Sequence, residues 1–90
     1  MTKKEAEEYL SQVKDWNLAG HKIEKEFVFK DFKEAMKFVN KVAEIAESEG
    51  HHPDIRISWN RVRLDLSTHS IRGLGENDFI VAAKIDRLEQ

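Results

Sequence analysis

Apolar residues recur every three or four positions in three segments of this chain, and each segment predicts an amphipathic helix. The first helix is expected to begin at Thr2, which has the spacing of a capping box with Glu5. The second is expected to begin at Asp31 and to end at Gly50, and Asn77 is expected to cap the third. The apolar stripes are Ala6, Tyr9, Leu10 and Val13; then Phe32, Ala35, Met36, Val39, Val42, Ala43 and Ala46; and last Phe79, Ile80, Ala82, Ala83, Ile85 and Leu88.

Ahead of the second helix the apolar period changes to two, which predicts a β-hairpin. Residues 16–18 indicate a short first strand, and residues 19–22 supply a turn that contains glycine. Apolar and polar residues alternate along the following strand, so Ile23, Phe27 and Phe29 are expected to face the core.

The same alternation returns after the second helix and predicts a second hairpin. It runs over residues 54–59 and again over residues 62–66, with the turn placed at residues 60–61. In this register Trp59 pairs with Val62, and Trp59 is expected to be a core aromatic residue.

That register would bring two histidines together at the open end of the second hairpin. Continued outward, the ladder places His52 opposite His69 at a spacing of about 5 Å. Pro53 favours extended backbone at His52, so the adjacent rings of His51 and His52 are expected to point in opposite directions. Pro53 also lacks a backbone donor, so we expect the ladder to end here and leave room for a ligand.

The element order is therefore helix, strand, strand, helix, strand, strand, helix. Strands joined as hairpins form an antiparallel sheet, and helices of this length cover one face of it. We therefore expect an α+β fold with a four-stranded antiparallel sheet and the helices packed on one face. The length suits one ordinary domain and no linker or repeat divides the chain, so residues 1–90 are interpreted as a single domain.

Composition narrows the chemistry that is available to this domain. The sequence has no cysteine, which excludes disulfides, thiolate metal sites and cysteine catalysis. The 15 Lys and Arg nearly balance the 17 Asp and Glu, so there is no electrostatic case for nucleic-acid binding. No stretch reaches the roughly 18 apolar residues of a membrane span, and the first residues do not form a secretory signal, so a cytoplasmic protein is expected.

The histidines allow two kinds of site. One is acid–base catalysis, which suits imidazole near neutral pH. The other is a zinc site, but an adjacent pair on extended chain does not aim both rings at one point, so no metal site is predicted. His21, in the turn of the first hairpin, is expected to be solvated, and the arginines of the second hairpin are expected to lie on a mixed, solvated face.

A set of spaced residues resembles the signature of the pterin-4a-carbinolamine dehydratase family. Its members in this chain are Glu47, His51, His52, Pro53, Trp59, His69 and Asp78. The resemblance covers the chain from about residue 15 onward, because Trp16-Asn17, the run 27–32 and Ser67-Thr68-His69 are also similar to family features.

The resemblance implies a reaction and a role for each residue. The reaction is loss of water from a 4a-hydroxytetrahydropterin, such as 4a-hydroxytetrahydrobiopterin, to give the quinonoid dihydropterin during pterin recycling. His51 and His69 are expected to act as acid and base, His52 to hold the pterin, and Glu47 to orient or charge a histidine.

Further substrate contacts are implied for Trp16, Thr68 and Asp78, with neither metal nor organic cofactor. The resemblance also implies a homodimer or homotetramer, and Phe38, Ile45 and Val81 are interpreted as apolar positions left over for contacts between copies. The alternative function is a non-catalytic interaction module, because some family members associate with transcription factors.

Overall fold

Helices and strands follow one another in the order that the sequence predicts. The structure, a computed structural model, describes residues 1–88. The helices are α1 (Lys3–Leu10), α2 (Phe32–Glu49) and α3 (Glu76–Asp86), and the strands are β1 (Asn17–Ala19), β2 (Lys22–Val28), β3 (Asp54–Ser58) and β4 (Arg61–Leu66). A short 3₁₀ turn, His69–Ile71, lies between β4 and α3. The predicted α+β fold is therefore confirmed.

Helix α2 has the bounds that its end signals predict. The Asp31 carboxylate accepts the backbone N–H of Glu34 at 2.9 Å, which satisfies a donor of the first turn. Gly50 ends the helix with a left-handed backbone at φ 62°, a conformation that costs glycine little. The backbone N–H of His51 then donates to the Ala46 carbonyl at 3.1 Å, so the chain enters the histidine segment from a fixed helix end.

The other two helices begin differently from one another. Thr2 and Glu5 form both hydrogen bonds of the predicted capping box, at 2.8 and 3.1 Å. The prediction that Asn77 caps α3 is wrong, because the N-cap is Gly75 and the helix begins one residue before Asn77. The carboxylate of Asp78 accepts the Gly75 N–H at 2.9 Å and so takes over part of the capping role.

The four strands form one antiparallel sheet in the order β1-β2-β4-β3. The central pair, β2 and β4, carries fully buried residues on one face, and all three helices contribute to the same core. The fully buried apolar side chains of these two strands are Ile23, Val62, Leu64 and Leu66. The helices therefore cover one face of the sheet, as predicted.

The opposite face of the sheet is charged. Arg61 lies 3.8 Å from Glu26, and Arg63 is paired with Glu24. Cross-strand pairs of opposite charge suit a solvated sheet face. The expectation of a mixed face around these arginines is therefore confirmed.

The second hairpin has a different register from the predicted one. Ser58 pairs with Arg61, so the turn is Trp59-Asn60, and the prediction of a turn at residues 60–61 is wrong. Trp59 has a left-handed backbone at φ 50° and 65% exposure, so the core interpretation of Trp59 is also wrong. The Asn60 amide donates to the Phe29 carbonyl at 2.9 Å, and the Phe29 N–H donates to the Asn60 carbonyl at 2.8 Å. These two hydrogen bonds to Phe29, directly after β2, thus hold the turn at a position that the local sequence pattern does not predict.

Two residues expected at contacts between copies belong to the core instead. Phe38 is 4% exposed and Val81 is 1% exposed. Phe38 packs against Phe27 with ring centroids 4.6 Å apart. The prediction that these two residues serve contacts between copies is therefore wrong. The apolar faces that the helices turn toward the core are wider than the stripes predicted from the sequence. Ile45 is partly buried against the same core.

None of the helices within residues 1–88 is long and apolar enough to cross a membrane.

Candidate active site

A buried carboxylate, that of Asp78 on the first turn of α3, organises the candidate site. Its side chain is fully buried and both of its oxygens have partners within the chain. Oδ2 accepts the Thr68 hydroxyl and the Gly75 backbone N–H, each at 2.9 Å. Oδ1 lies 2.5 Å from Nε2 of His51. Three separate segments, which follow α2, follow β4 and begin α3, therefore meet at one carboxylate.

The hydrogen bond to Asp78 constrains the tautomer of the His51 ring. An ionised carboxylate only accepts hydrogen bonds, so Nε2 of His51 must donate to it. In a neutral imidazole the lone pair then lies on Nδ1. The His51 side chain is 14% exposed, which leaves part of the ring open to solvent. His51 is thus oriented by a buried acceptor, and its second nitrogen can exchange a proton.

His52 has a different environment from His51. Its Nε2 lies 2.5 Å from the Glu47 carboxylate on the last turn of α2. The side chains of His52 and Glu47 are 60% and 76% exposed. The two adjacent histidines thus have partners on different helices, which fits the expectation that their rings diverge. Because the His52–Glu47 pair is solvated, it orients the ring more than it stabilises the fold.

His69 begins the 3₁₀ turn directly after Thr68, the residue that donates to Asp78. Its side chain is exposed. His69 and Thr68 line one small cleft of about 270 Å³ together with His21, Ser67, Arg72 and Gly73. His69 is therefore joined to His51 through Thr68 and Asp78 and not through a strand ladder.

The predicted ladder between His52 and His69 is wrong. Pairing of β3 with β4 ends at Asp54 and Asp65, before either histidine is reached. The true register is also shifted by two residues. The carboxylate of Asp78 holds the His51 segment and the Thr68–His69 segment together. In the sequence, only the family signature pointed to Asp78, and no local pattern did.

Trp16 lies in the core and does not line the cleft that holds Thr68 and His69. Its side chain is 6% exposed, and its indole N–H donates to the Asp86 carboxylate at 2.9 Å. Lys25, which is also buried, donates to the same carboxylate oxygen at 3.1 Å. Lys25 lies between Ile23 and Phe27 at the inward parity of its strand, but the sequence does not reveal this buried ion pair, because its partner is 61 residues away in the chain.

In the part of the chain from residue 1 to residue 88, no three His, Asp or Glu side chains are grouped so that they could hold a metal ion. At the candidate site the Asp78 carboxylate bonds to three groups, and His52 is paired with Glu47. The chemistry that this arrangement can perform is the uptake, release and orientation of protons.

Comparison with known proteins places the chain in one family. A family model described as pterin 4 alpha carbinolamine dehydratase matches residues 1–88. A protein of Acidobacterium capsulatum that carries the name pterin-4-alpha-carbinolamine dehydratase is 54% identical over 88 residues, which cover 98% of this chain and 96% of that protein. One of the same name from Sulfurisphaera tokodaii is 49% identical over 88 residues, covering 98% and 95%.

Solved structures extend the similarity to three dimensions. A crystal structure described as a transcriptional coactivator/pterin dehydratase from Brucella melitensis is similar with a TM-score of 0.95 and 34% identity, covering 100% of this chain and 98% of that one. A pterin dehydratase-like protein, described as a RuBisCO assembly factor in the alpha-carboxysome, has a TM-score of 0.67 at 24% identity, covering 81% and 84%. The second likeness concerns the fold alone.

The match over nearly the whole chain, the relatives of about 50% identity and the shared fold agree with one another. The chain therefore belongs to the pterin 4 alpha carbinolamine dehydratase family, and it is an enzyme of the dehydratase (hydro-lyase) class.

Proposed function

We propose that this protein removes water from a 4a-hydroxytetrahydropterin to give the quinonoid dihydropterin, by acid–base catalysis with histidines. The observation that carries the proposal is the buried Asp78 carboxylate, which binds His51 and the Thr68 hydroxyl next to His69. Family membership supports the same reaction. The relatives' names support a pterin substrate, and the contacts of Asp78 support the choice of residues.

The reaction needs one base and one acid. The base removes the proton from N5, and the electron pair of the broken N5–H bond forms the N5–C4a double bond. The C4a–O bond breaks, and the acid protonates the departing hydroxyl, which leaves as water. A well-placed histidine contributes about 10² to 10⁴ in rate to such a step.

In the proposed mechanism His51 is the base and His69 is the acid. The Asp78 carboxylate holds Nε2–H of His51, keeps the Nδ1 lone pair available and stabilises the positive charge that the ring acquires with the N5 proton. His69 is exposed beside the cleft and can deliver a proton to the leaving hydroxyl.

We assign supporting roles to the other predicted residues, except Trp16, which lies in the core. We propose that His52 holds the pterin, oriented by Glu47, and that Thr68 lines the site through its place in the cleft. Asp78 is proposed to act on the substrate mainly through His51, since its side chain is fully buried. Action in the cytoplasm as a homodimer or homotetramer is part of the proposal, and sedimentation would measure the oligomeric state.

The test is stopped-flow absorbance with synthetic 4a-carbinolamine. The wild-type protein should accelerate dehydration well above the rate with free imidazole at the same concentration. The variants His51→Ala and His69→Ala should each lose at least tenfold in turnover while circular dichroism shows an intact fold. Lys41→Ala, on the surface of α2, is the control and should keep wild-type turnover.

Rescue of His51→Ala by added imidazole would separate loss of a proton acceptor from distortion of the site. Normal turnover in folded His51→Ala would refute the role of His51. A folded wild-type protein that does not accelerate dehydration would favour the second candidate, a non-catalytic interaction module. The description of the Brucella melitensis relative as a transcriptional coactivator favours that candidate as the alternative.

A further inference from the structure

A cleft that no carboxylate of residues 1–88 lines adjoins the candidate active site. The small cleft that holds Thr68 and His69 shares His21, Arg72 and Gly73 with a larger cleft of about 800 Å³ beside the start of α1. We call the two together the basic cleft. Through these shared residues the two clefts form one surface that leads from Thr68 and His69 to the turn between β1 and β2.

The charge of the basic cleft differs from that of the whole chain. The chain has 17 acidic residues and a net charge of −2, yet among residues 1–88 no Asp or Glu lines either part of the cleft. Lys3 and Arg72 line it, together with His21 and His69. Within residues 1–88, neither Lys3 nor Arg72 forms an ion pair, whereas Arg61 and Arg63 on the sheet are both paired with glutamates. Unpaired cations that share a concave surface create a positive potential that favours an anion.

The backbone holds Arg72 in a defined place beside His69. Arg72 has a left-handed conformation at φ 51°, and its N–H donates to the His69 carbonyl at 3.1 Å. Thr68 and Gly73 close the loop, with the Thr68 N–H donating to the Gly73 carbonyl at 2.7 Å. The guanidinium therefore extends from a closed loop that also carries two candidate site residues.

The remaining wall of the larger cleft is partly apolar and includes Leu18, Ile71 and Leu74. A ligand suited to this surface has a carbon side chain for the apolar wall and an anionic group for Arg72 and Lys3. Guanidinium binds phosphate and carboxylate through two parallel hydrogen bonds.

From these observations, and resting on the proposed function, we propose that the pterin substrate carries an anionic side chain. The ring would lie at the Thr68–His69 end of the basic cleft, and a phosphate or carboxylate on the side chain would bind Arg72, with Lys3 and His21 beside it. Arg72 is then a specificity-determining residue.

The test compares ligands that differ in side-chain charge. The dissociation constants of 7,8-dihydroneopterin and of its monophosphate ester are measured by calorimetry at low and high salt, and 7,8-dihydrofolate supplies the carboxylate arm. At low salt at least one anionic pterin should bind about tenfold more tightly than dihydroneopterin, the gain from about one charge-assisted hydrogen bond. The preference should shrink at high salt. The ligand that shows this preference, the phosphate ester or dihydrofolate, indicates whether the cleft binds a phosphate or a carboxylate.

Arg72→Asn removes the charge with a residue that tolerates a left-handed backbone. It should abolish most of the preference and leave the affinity for dihydroneopterin unchanged, and Lys3→Gln should reduce the preference by less. Arg61→Gln, on the far face of the sheet, is the matched control and should keep it.

Equal affinity for charged and uncharged pterins, or a preference that survives Arg72→Asn, would overturn the anionic side chain and leave the dehydratase proposal intact. Failure of every pterin to bind would instead count against the proposed function itself.

Discussion

Replacement of Asp78 by asparagine tests the central contact of the candidate site. Asparagine has nearly the same shape but no charge, and one of its two terminal atoms is a donor. If its oxygen keeps the bonds from Thr68 and Gly75, its amide nitrogen faces Nε2 of His51. Two donors then oppose one another unless His51 moves its proton to Nδ1. Asp78→Asn should therefore change the tautomer that the proposed base requires.

The cost in stability follows from the three hydrogen bonds. Hydrogen bonds to a charged acceptor contribute about 1.5 to 3 kcal/mol and neutral ones about 0.5 to 1.5 kcal/mol. The bonds from Thr68 and Gly75 are weakened by about 1 kcal/mol each, and His51 must change tautomer or lose its bond. We expect Asp78→Asn to lower the free energy of unfolding by about 2 to 4 kcal/mol, which a domain with about 5 to 15 kcal/mol survives.

The assay measures unfolding in urea and turnover of the 4a-carbinolamine on the same preparations. Turnover per folded molecule should fall at least about 10²-fold, the lower end of what a positioned base contributes. In NMR spectra the His51 ring should show the proton on Nδ1 in the variant and on Nε2 in the wild type.

Asp86→Asn is the matched control, because Asp86 is a second carboxylate that accepts hydrogen bonds from several donors and makes none with the histidines. It accepts the Lys14 N–H at 2.8 Å, the Trp16 indole at 2.9 Å and the Lys25 ammonium at 3.1 Å. It should lose stability, since a buried lysine loses its charged partner, but keep turnover per folded molecule. If Asp78→Asn reduces turnover no more than Asp86→Asn does, the proposed link from Asp78 to the base is refuted.

Two further predictions concern the fold. Trp59→Ala should change the free energy of unfolding by about 0.5 kcal/mol or less, because Trp59 is 65% exposed. Leu64→Ala, at a fully buried position, should lower it by about 2 to 5 kcal/mol. Urea unfolding of both variants measures the difference, and equal losses of stability would contradict the observed turn. Hydrogen bonds from the backbone and side chain of Thr2 hold the pKa of Glu5 below 4.5, its ordinary value. The capping contribution of Glu5 is thus fully present above pH 4.5 and is lost as the pH falls through the lowered pKa. An NMR titration of the Glu5 carboxyl should show this, and a midpoint at or above 4.5 would contradict it.

Local pattern determined most of the secondary structure. The limits of α2 follow from Asp31 and Gly50, residues that act on their own neighbours, so the sequence alone predicts them. The alternation in the strands likewise predicts which face is buried. Because the true register of the second hairpin is shifted by two residues, an even number, the predicted inward residues of β4 still face inward. On the edge strand β3, by contrast, Ile57 is 40% exposed.

The candidate site was predicted by motif and assembled by tertiary contacts. The family signature identified Glu47, His51, His52, His69 and Asp78 as a set. It did not show that Asp78 is buried, that it binds His51, or that His52 pairs with Glu47 in solvent. A hydrogen bond between residues 51 and 78 depends on how α3 packs on the sheet, which no local period encodes.

Sequence by itself thus determined the elements, their order, the inward faces of β2 and β4, and the family, because each depends on short-range spacing or on a motif. Only the tertiary structure decided the turn at Trp59-Asn60, the burial of Asp78 and the basic cleft, because each depends on groups distant in the chain. Phe29, directly after β2, holds the turn, and Arg72 and Lys3 line the same cleft although they are far apart in the sequence.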